Sequence, residues 1–218
     1  GHFHPRQVSW QGQILVPFAP ETERSGVGER GFFLACWYRR WITPPELAPG
    51  ERLILHFAAV DSYATVWIDG AQVMTHEGGY TPFSIDVTLL IQPGSPLEVV
   101  VRAHDDPHEL AKPRGKQDWQ LDPHSIWYPR TTGIWQTVWL ERVPEVHVAR
   151  LRWTSNLHRW EIGFSGVIVS ACPPRVSVHL RLRAGHGIKG MFEETSHDEA
   201  VVAIDLAEAS DALSRALR

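Results

Sequence analysis

The 218-residue chain has little of what several classes of protein require. It contains two cysteines, Cys36 and Cys172, which lie far apart in sequence, so no disulfide framework is implied and a reducing compartment is mildly favoured. No apolar run reaches the eighteen or so residues of a membrane span, and no signal-peptide pattern opens the chain. We therefore predict no membrane partner.

The chain also lacks the charge and the motifs of several common functions. Its 21 basic and 25 acidic residues give a formal net charge of -4, without a run of Lys or Arg. This balance argues against a nucleic-acid partner, because such proteins carry a basic surface. No glycine-rich phosphate loop follows a strand, and no serine lies in a Gly-x-Ser-x-Gly elbow.

Aromatic residues and short strand patterns are what the chain does have. Its ten tryptophans suit all-β structure and carbohydrate-facing surfaces, although tryptophan also fills cores. Turns every eight to twelve residues, with no long helical period, predict a β-sandwich or jelly roll. Asp69 and Gly70 join two strand patterns as a type I′ hairpin turn should. The predicted strands of this half are 13–18, 32–42, 52–60, 63–68, 71–76, 83–87, 97–104 and 134–143.

The last of these strands has apolar side chains on both faces. Ile134, Val138 and Leu140 lie on one face and predict packing into the core of the domain. Trp135 and Trp139 lie on the other face, where we expect them to be covered either by a facing sheet or by a partner outside the domain.

Residues 105–130 show neither strand nor helix periodicity. Loops of this length are usually functional or disordered, and the Trp and Tyr content argues against disorder. At its start, the sequence from His104 to His108 (HDDPH) gathers potential metal ligands, but the spacing matches no strong zinc signature. A structural calcium there is no less plausible than zinc. We predict no metal and no cofactor.

Paired carboxylates are needed for glycoside hydrolysis by the retaining route. The candidates nearest to aromatic loops are not brought together by their spacing, so each is better interpreted as a turn former or a cap residue. Asp118 is instead favoured for contact with a sugar, because a carboxylate accepts hydroxyl hydrogen bonds while the adjacent indole of Trp119 covers apolar C–H faces. The carboxylate candidates are Glu77, Asp86, Asp118 and Asp122, and the predicted substrate-binding residues are Lys116, Gln117, Asp118 and Trp119.

A second, smaller β domain is predicted after Val143 and Pro144, where the composition changes. About five strands fit here, short of the seven of an immunoglobulin-type sandwich. Residues 207–218 have some helix propensity and no obvious partner. We therefore expect domains at 1–143 and 144–218, with the second cut short. Its predicted strands are 145–154, 159–171, 175–184, 187–194 and 199–206.

Five motifs in order together resemble the sugar-binding domain of family 2 glycoside hydrolases, the enzymes related to β-galactosidase, β-glucuronidase and β-mannosidase. The motifs are WYRR at 37–40, the hairpin ending in WIDG at 67–70, HEGGYTPF at 76–83, RGKQ at 114–117 and TGIWQTVWLE at 132–141. Residues 145–218 resemble the immunoglobulin-like second domain of the family only weakly.

The resemblance implies a jelly roll, then an immunoglobulin-like sandwich, then a (β/α)8 barrel with both catalytic carboxylates. No βαβ alternation occurs here, so we expect a non-catalytic fragment whose partners are its own C-terminal barrel and a carbohydrate substrate. Asp118 lies in the region where an Asp of such β-galactosidases contacts the sugar. A homo-oligomer is possible. The alternatives are a free-standing carbohydrate-binding module and a structural or adhesive two-domain β protein.

Overall fold

The computed structural model describes residues 4–159, 161–170, 176–185, 197–206 and 213–217, and within them the regular structure is almost entirely strand. The helical segments there are three short 3-10 turns, at Pro5–Gln7, Glu23–Ser25 and Thr88–Leu90. None of the helices in these residues is long and apolar enough to cross a membrane. The chain divides into two compact units, Gly1–Val143 and Pro144–Arg218. The all-β prediction is confirmed.

The first unit is built from two main sheets. One has the strand order β1-β7-β4-β5, the other β6-β2-β9, and β3 pairs with β8 beside them. All of these strand pairs are antiparallel. The strands are β1 (Ala35–Ile42), β2 (Arg52–Phe57), β3 (Val60–Asp61), β4 (Tyr63–Ile68), β5 (Ala71–Glu77), β6 (Phe83–Asp86), β7 (Leu97–His104), β8 (Gly133–Ile134) and β9 (Val138–Val143).

Strand alternation explains where the core lies. In β7 the side chains of Leu97, Val99, Val101 and Ala103 are buried, as their period-two spacing predicts. Alternate residues of β2 supply buried side chains to the same cluster. Each such aliphatic side chain contributes about 1.5–3 kcal/mol of burial free energy. The buried residues of β2 are Leu53, Leu55 and Phe57.

The hairpin between β4 and β5 turns where predicted. Asp69 and Gly70 have φ values of 48° and 80°. Both angles are positive, which a type I′ turn requires at its two central positions. Asp69 also accepts a hydrogen bond from the backbone N–H of Glu98, at 2.9 Å, so the turn is tied to the start of β7.

The N-terminal strand prediction is wrong. Residues 13–18 form no strand and instead enter a turn at residues 16–17. Leu15 N–H donates to the carbonyl of Ser25 at 2.8 Å, so this segment pairs with the loop that follows it rather than with a sheet. Pro17 supplies no N–H, which a ladder would need. Strand β1 likewise begins at Ala35, three residues later than predicted.

The strand predicted over 134–143 is split in two. Ile134 belongs to β8 and pairs with Val60, while β9 begins at Val138 and pairs with β2. Residues 135–137 between them lie outside both ladders. The period-two pattern runs through this break unchanged, so periodicity alone could not reveal it.

The second unit contains a three-stranded sheet, with the order β10-β11-β14, and a two-stranded ladder of β12 and β13. The C-terminal prediction is wrong in part, because β14 pairs with β11 where helix propensity was noted. The predicted strand at 187–194 lies outside the described residues. An immunoglobulin-like identity for this unit stays a prediction. The strands are β10 (His147–Asn156), β11 (Glu161–Val169), β12 (Val176–Gly185), β13 (His197–Leu206) and β14 (Leu213–Leu217).

Candidate functional site

The 26-residue segment 105–130 is an ordered loop that leaves β7 and returns towards β8. It contains neither a strand nor a helix, and its regular pairing is one isolated bridge between Gln117 and Tyr128. There the backbone N–H of Asp118 donates to Tyr128 at 2.8 Å, and the N–H of Tyr128 donates to Lys116 at 2.9 Å. This bridge folds the middle of the loop, residues 118–128, into a closed lobe.

A buried ionic cluster holds the two ends of the loop together. The carboxylate of Asp105 accepts hydrogen bonds from Nζ of Lys112 and Nη2 of Arg130, and all three residues are buried. Arg130 also donates to the backbone carbonyl of Asp105 at 2.7 Å. One carboxylate facing two cations is costly to desolvate, so such clusters persist where their geometry is well satisfied.

Gln117 ties the lobe to the sandwich. Its Nε2 donates to Oδ2 of Asp61 at 2.8 Å, and its Oε1 accepts the N–H of Thr131 at 3.1 Å. Burial raises the pKa of Asp61, while the hydrogen bond from Gln117 acts in the opposite direction. Gly79 packs against this carboxylate so closely that a Cβ there would overlap Asp61 Oδ1. Both the nitrogen and the oxygen of the Gln117 amide therefore hold the loop in position.

Asp118 is fully buried, at 0 % exposure. Its Oδ1 accepts the N–H of Gln120 at 3.0 Å, and its Oδ2 accepts the N–H and the Nδ1 of His124, at 2.7 and 2.8 Å. Burial favours the neutral acid, but these hydrogen bonds outweigh it and lower the pKa of Asp118. The carboxylate is thus engaged inside the lobe, and its contact with a sugar stays a prediction.

The indole of Trp119 lies on the outside of the same lobe. It is 47 % exposed and meets the rings of His124 and Trp127 edge-on, with centroids 5.1 and 5.2 Å away. Lys116 is exposed, with no ion pair among the residues described. Of the four consecutive residues predicted to bind substrate, Gln117 and Asp118 therefore face inward, and Lys116 and Trp119 face outward.

Two concavities of about 510 Å³ each flank the lobe. The first lies between residues 21–32 and the later part of the loop, and includes the buried carboxylate oxygens of Glu21, which have no hydrogen-bond partner among the described residues. Burial raises the pKa of Glu21. The second is a shallow groove lined by Pro107, His108, Leu110, Arg114 and Trp119.

The two tryptophans near β9 have different environments. Trp135 is half-buried, donates from Nε1 to the carbonyl of Gly79 at 2.8 Å and meets Tyr80 edge-on. Trp139 is 42 % exposed and stacks on His56 with centroids 4.7 Å apart. Trp135 therefore serves packing within the unit, whereas Trp139 lies on the outer face of its sheet.

The remaining candidate carboxylates lie on different elements, Glu77 on β5, Asp86 on β6 and Asp122 at an exposed position of the loop. Asp86 forms an ion pair with Arg52 at 2.9 Å and accepts hydrogen bonds from Thr88, and Glu77 lies at the end of β5. Within the described part of the chain, no three His, Cys, Asp or Glu residues are grouped so as to hold a metal ion.

The comparisons with known proteins agree with the geometry. A family model described as glycosyl hydrolase 2 galactose-binding domain-like matches residues 32–136. Residues 32–136 are therefore similar to the galactose-binding-like N-terminal domain of family 2 glycoside hydrolases. The resemblance expected from the five motifs is confirmed.

Individual glycosidases are also similar to this chain over part of its length. The chain is 30% identical over 121 residues to a beta-galactosidase of Thermoanaerobacter pseudethanolicus. This match covers 55% of this chain and 15% of that protein. It is 31% identical over 96 residues to human beta-glucuronidase, covering 41% of this chain and 15% of the relative. The chain thus spans about a sixth of these relatives' length or less.

A solved structure shares the fold. Beta-glucuronidase 2 of Bacteroides uniformis, covalently bound to cyclophellitol-6-carboxylate aziridine, superposes with a TM-score of 0.59 at 21% identity. The match covers 94% of this chain and 24% of the other.

Several residues of this galactose-binding-like domain form contacts that the sequence did not predict. Asp105, Lys112 and Arg130 form one cluster, yet their separations of 7 and 25 residues follow no local period. Asp118 and His124 are only six residues apart, and a carboxylate followed by a histidine within a loop could have suggested the pair.

Proposed function

We propose that this chain is a non-catalytic N-terminal part of a retaining β-glycosidase and that its loop 105–130 completes one side of a substrate pocket. The pocket itself would be built by a C-terminal (β/α)8 barrel that carries the acid/base and the nucleophile. The proposal is supported by the family match over residues 32–136 and by the small share of the relatives' length that the chain spans.

One observation carries the proposed role of the loop. Trp119 projects from a lobe whose interior is fixed by the fully buried Asp118. A fixed, half-exposed indole offers a flat surface to the C–H face of a pyranose, at little entropic cost on binding. Preorganisation of this kind is unnecessary for a connecting loop, so a contact role explains it better.

The 218 residues alone should not hydrolyse glycosides. The retaining route needs two carboxylates about 5 Å apart, and three of the carboxylates in or near the lobe are engaged in other contacts. Asp118 is held by His124, Asp105 by Lys112 and Arg130, and Asp61 by Gln117. The role proposed here is therefore to position substrate rather than to carry out bond cleavage.

The test uses the longer protein that contains this chain. We expect it to hydrolyse an aryl β-galactoside or an aryl β-glucuronide, and the 218-residue chain to hydrolyse neither. Trp119→Ala in the longer protein should lower kcat/KM about tenfold, which corresponds to ~1.4 kcal/mol of transition-state stabilisation. Trp139→Ala, which removes another exposed indole, is the matched control and should leave kcat/KM unchanged. Equal effects of the two changes would contradict the loop's role.

A free-standing carbohydrate-binding module is the second candidate. The exposed Trp119 favours it as much as it favours the enzyme part, since either would use an aromatic surface for sugar. The coding sequence beyond Arg218 separates the two. A barrel with a Glu at the end of each of two strands supports the enzyme, and a chain without a barrel supports the module.

A further inference from the structure

We propose that His124 is a positioning residue whose second proton tightens the lobe at residues 118–128 and thereby fixes the indole of Trp119. His124 closes the lobe through its contacts with Asp118, and its ring lies against Trp119. The effect on the lobe is a property of the 218-residue chain itself. Its consequence for substrate rests on the proposed function, in which Trp119 contacts the sugar.

His124 holds the lobe through its backbone as well as through its ring. Its N–H donates to Oδ2 of Asp118 at 2.7 Å, and its carbonyl accepts the N–H of Trp127 at 3.1 Å. The ring Nδ1 lies 2.8 Å from the same Oδ2. Trp119 meets the imidazole and the ring of Trp127 edge-on. A change in the contact between the imidazole and Asp118 therefore acts on a residue that packs directly against Trp119.

Asp118 stays ionised over the pH range in which histidines titrate. Burial raises its pKa, but hydrogen bonds from Gln120 and His124 and the charge of His124 lower the pKa below its ordinary value of 3.8. An ionised carboxylate can only accept hydrogen bonds, so Nδ1 of His124 must carry a proton. The neutral ring is therefore the Nδ1–H tautomer, and Nε2 is the nitrogen that takes up the second proton.

This proton can reach the ring from solvent. The side chain of His124 is 40 % exposed, and its Nε2 makes no hydrogen bond or ion pair with any residue that the structure describes. The charged group in contact with the ring is the carboxylate of Asp118, while Asp122 lies at an exposed position two residues away. The ionisable groups of the neighbouring segment line the first concavity, which does not include His124, and they are Glu21, Glu23, Arg24 and Arg30.

Protonation of the ring should favour the closed lobe. A neutral imidazole gives Asp118 an ordinary hydrogen bond, whereas an imidazolium gives it a charge-assisted bond that is about twice as strong. Opening the lobe separates two opposite charges in the acid form, but only a carboxylate and a dipole in the neutral form. The stability that this pair adds is therefore greatest at low pH and decreases as the pH rises and the ring becomes neutral.

Hydrogen exchange of the 218-residue chain tests the effect on the lobe. The amides of Gln120 and His124 both donate to Asp118, so their protection factors, corrected for the intrinsic pH dependence of exchange, report how often the lobe opens. We expect factors about fivefold higher at about pH 5.5 than at about pH 7.5, as is typical of one partly exposed ion pair. The ¹⁵N–¹H heteronuclear NOE of the Trp119 indole should rise in parallel as the ring becomes less mobile.

Two matched variants assign the change to His124. In His124→Asn the side-chain amide can replace the Nδ1 donor but carries no charge, so its protection factors at the two pH values should agree within about twofold. His108→Asn removes an exposed histidine of the same loop and should keep the fivefold difference. Ring nitrogen shifts of the parent chain should show the Nδ1–H tautomer of His124 at the higher pH.

Three results would overturn the proposal. They are equal protection of the parent chain at both pH values, a fivefold change that survives in His124→Asn, and an Nε2–H tautomer of the neutral His124 ring. The first and the third need no variant, so they decide the matter even if His124→Asn does not fold.

Kinetics of the longer protein test the consequence for substrate. Acid and base groups of a barrel affect parent and variant alike, so the ratio of their KM values isolates His124. Because substrate must first fix the indole of a looser lobe, the KM of His124→Asn for an aryl β-glycoside, relative to the parent, should be about two- to fivefold larger at about pH 5.5 than at about pH 7.5. The ratio of kcat values should not change. A constant KM ratio would overturn the consequence for substrate, and with it the contact of Trp119 in the proposed function, whereas hydrogen exchange alone decides the effect on the lobe.

Discussion

Asp118 and His124 form a closed pair inside the loop, in which Oδ2 of the carboxylate accepts both the backbone N–H and the ring Nδ1 of the histidine, at 2.7 and 2.8 Å. The second contact requires a proton on Nδ1, which leaves Nε2 of the neutral ring as an acceptor. The pair closes residues 118–124 into a short ring, on whose outer side Trp119 packs against the same imidazole.

Asp118→Asn should loosen this ring. The amide nitrogen of Asn cannot accept hydrogen bonds, so at least one of the three bonds is lost in a buried position. We expect hydrogen exchange at the amides of Gln120 and His124 to become faster, and the thermal midpoint to fall by a few degrees. Asp122→Asn, at an exposed position of the same loop, is the control. Unchanged exchange in Asp118→Asn would show that the carboxylate does not hold the lobe.

The strands could be predicted because each has a local signal. The alternation of β7 and the Asp69–Gly70 turn are complete within a few neighbouring residues. The break after Ile134 could not be predicted in this way, because it results from the pairing of Ile134 with Val60. Periodicity describes which face a residue occupies and not which strand it meets.

Trp135 and Trp139 should differ in their contribution to stability. Trp135→Ala removes a half-buried indole and its bond to Gly79, so we expect a loss of about 3 kcal/mol in the free energy of unfolding. Trp135→Phe keeps a ring but no donor and should cost about 1 kcal/mol. For Trp139→Ala, at the outer face, the loss should stay below about 1 kcal/mol. Urea unfolding of the 218-residue chain measures all three, and similar costs at both positions would refute the assignment.

Asp105→Asn should be among the most damaging single changes in the loop. It leaves the cations of Lys112 and Arg130 buried without a counter-charge, for which the expected cost is about 3–5 kcal/mol. Lys112→Met removes one cation and keeps the contact with Arg130, so its cost should be clearly smaller. Chemical denaturation compares the two. If Lys112→Met were the more harmful change, the carboxylate would not be the centre of the cluster.

The candidate site was predicted only in part for a related reason. Asp118 and Trp119 stood out because an acid beside an indole is a local feature, and both lie in the lobe. Whether a side chain faces inward or outward depends on the bridge between Gln117 and Tyr128, eleven residues apart. The groove around Arg114 likewise depends on the path of the irregular backbone from Pro107 to Trp119, which no periodic pattern of the sequence predicts.

Glu21 gives a prediction about pH. Burial raises its pKa above the ordinary value of 4.5, so the folded chain binds this proton more tightly than the unfolded chain. The stability that Glu21 contributes is therefore present below about pH 4.5 and is lost as the pH rises through the folded-state pKa. Glu21→Gln removes the charge, so its thermal midpoint should exceed that of the parent chain by more at pH 7 than at pH 4. Glu29→Gln, at an exposed position of the same segment, should show no such trend. A midpoint difference for Glu21→Gln that is constant or shrinks between pH 4 and pH 7 would mean that the carboxylate is not buried in solution.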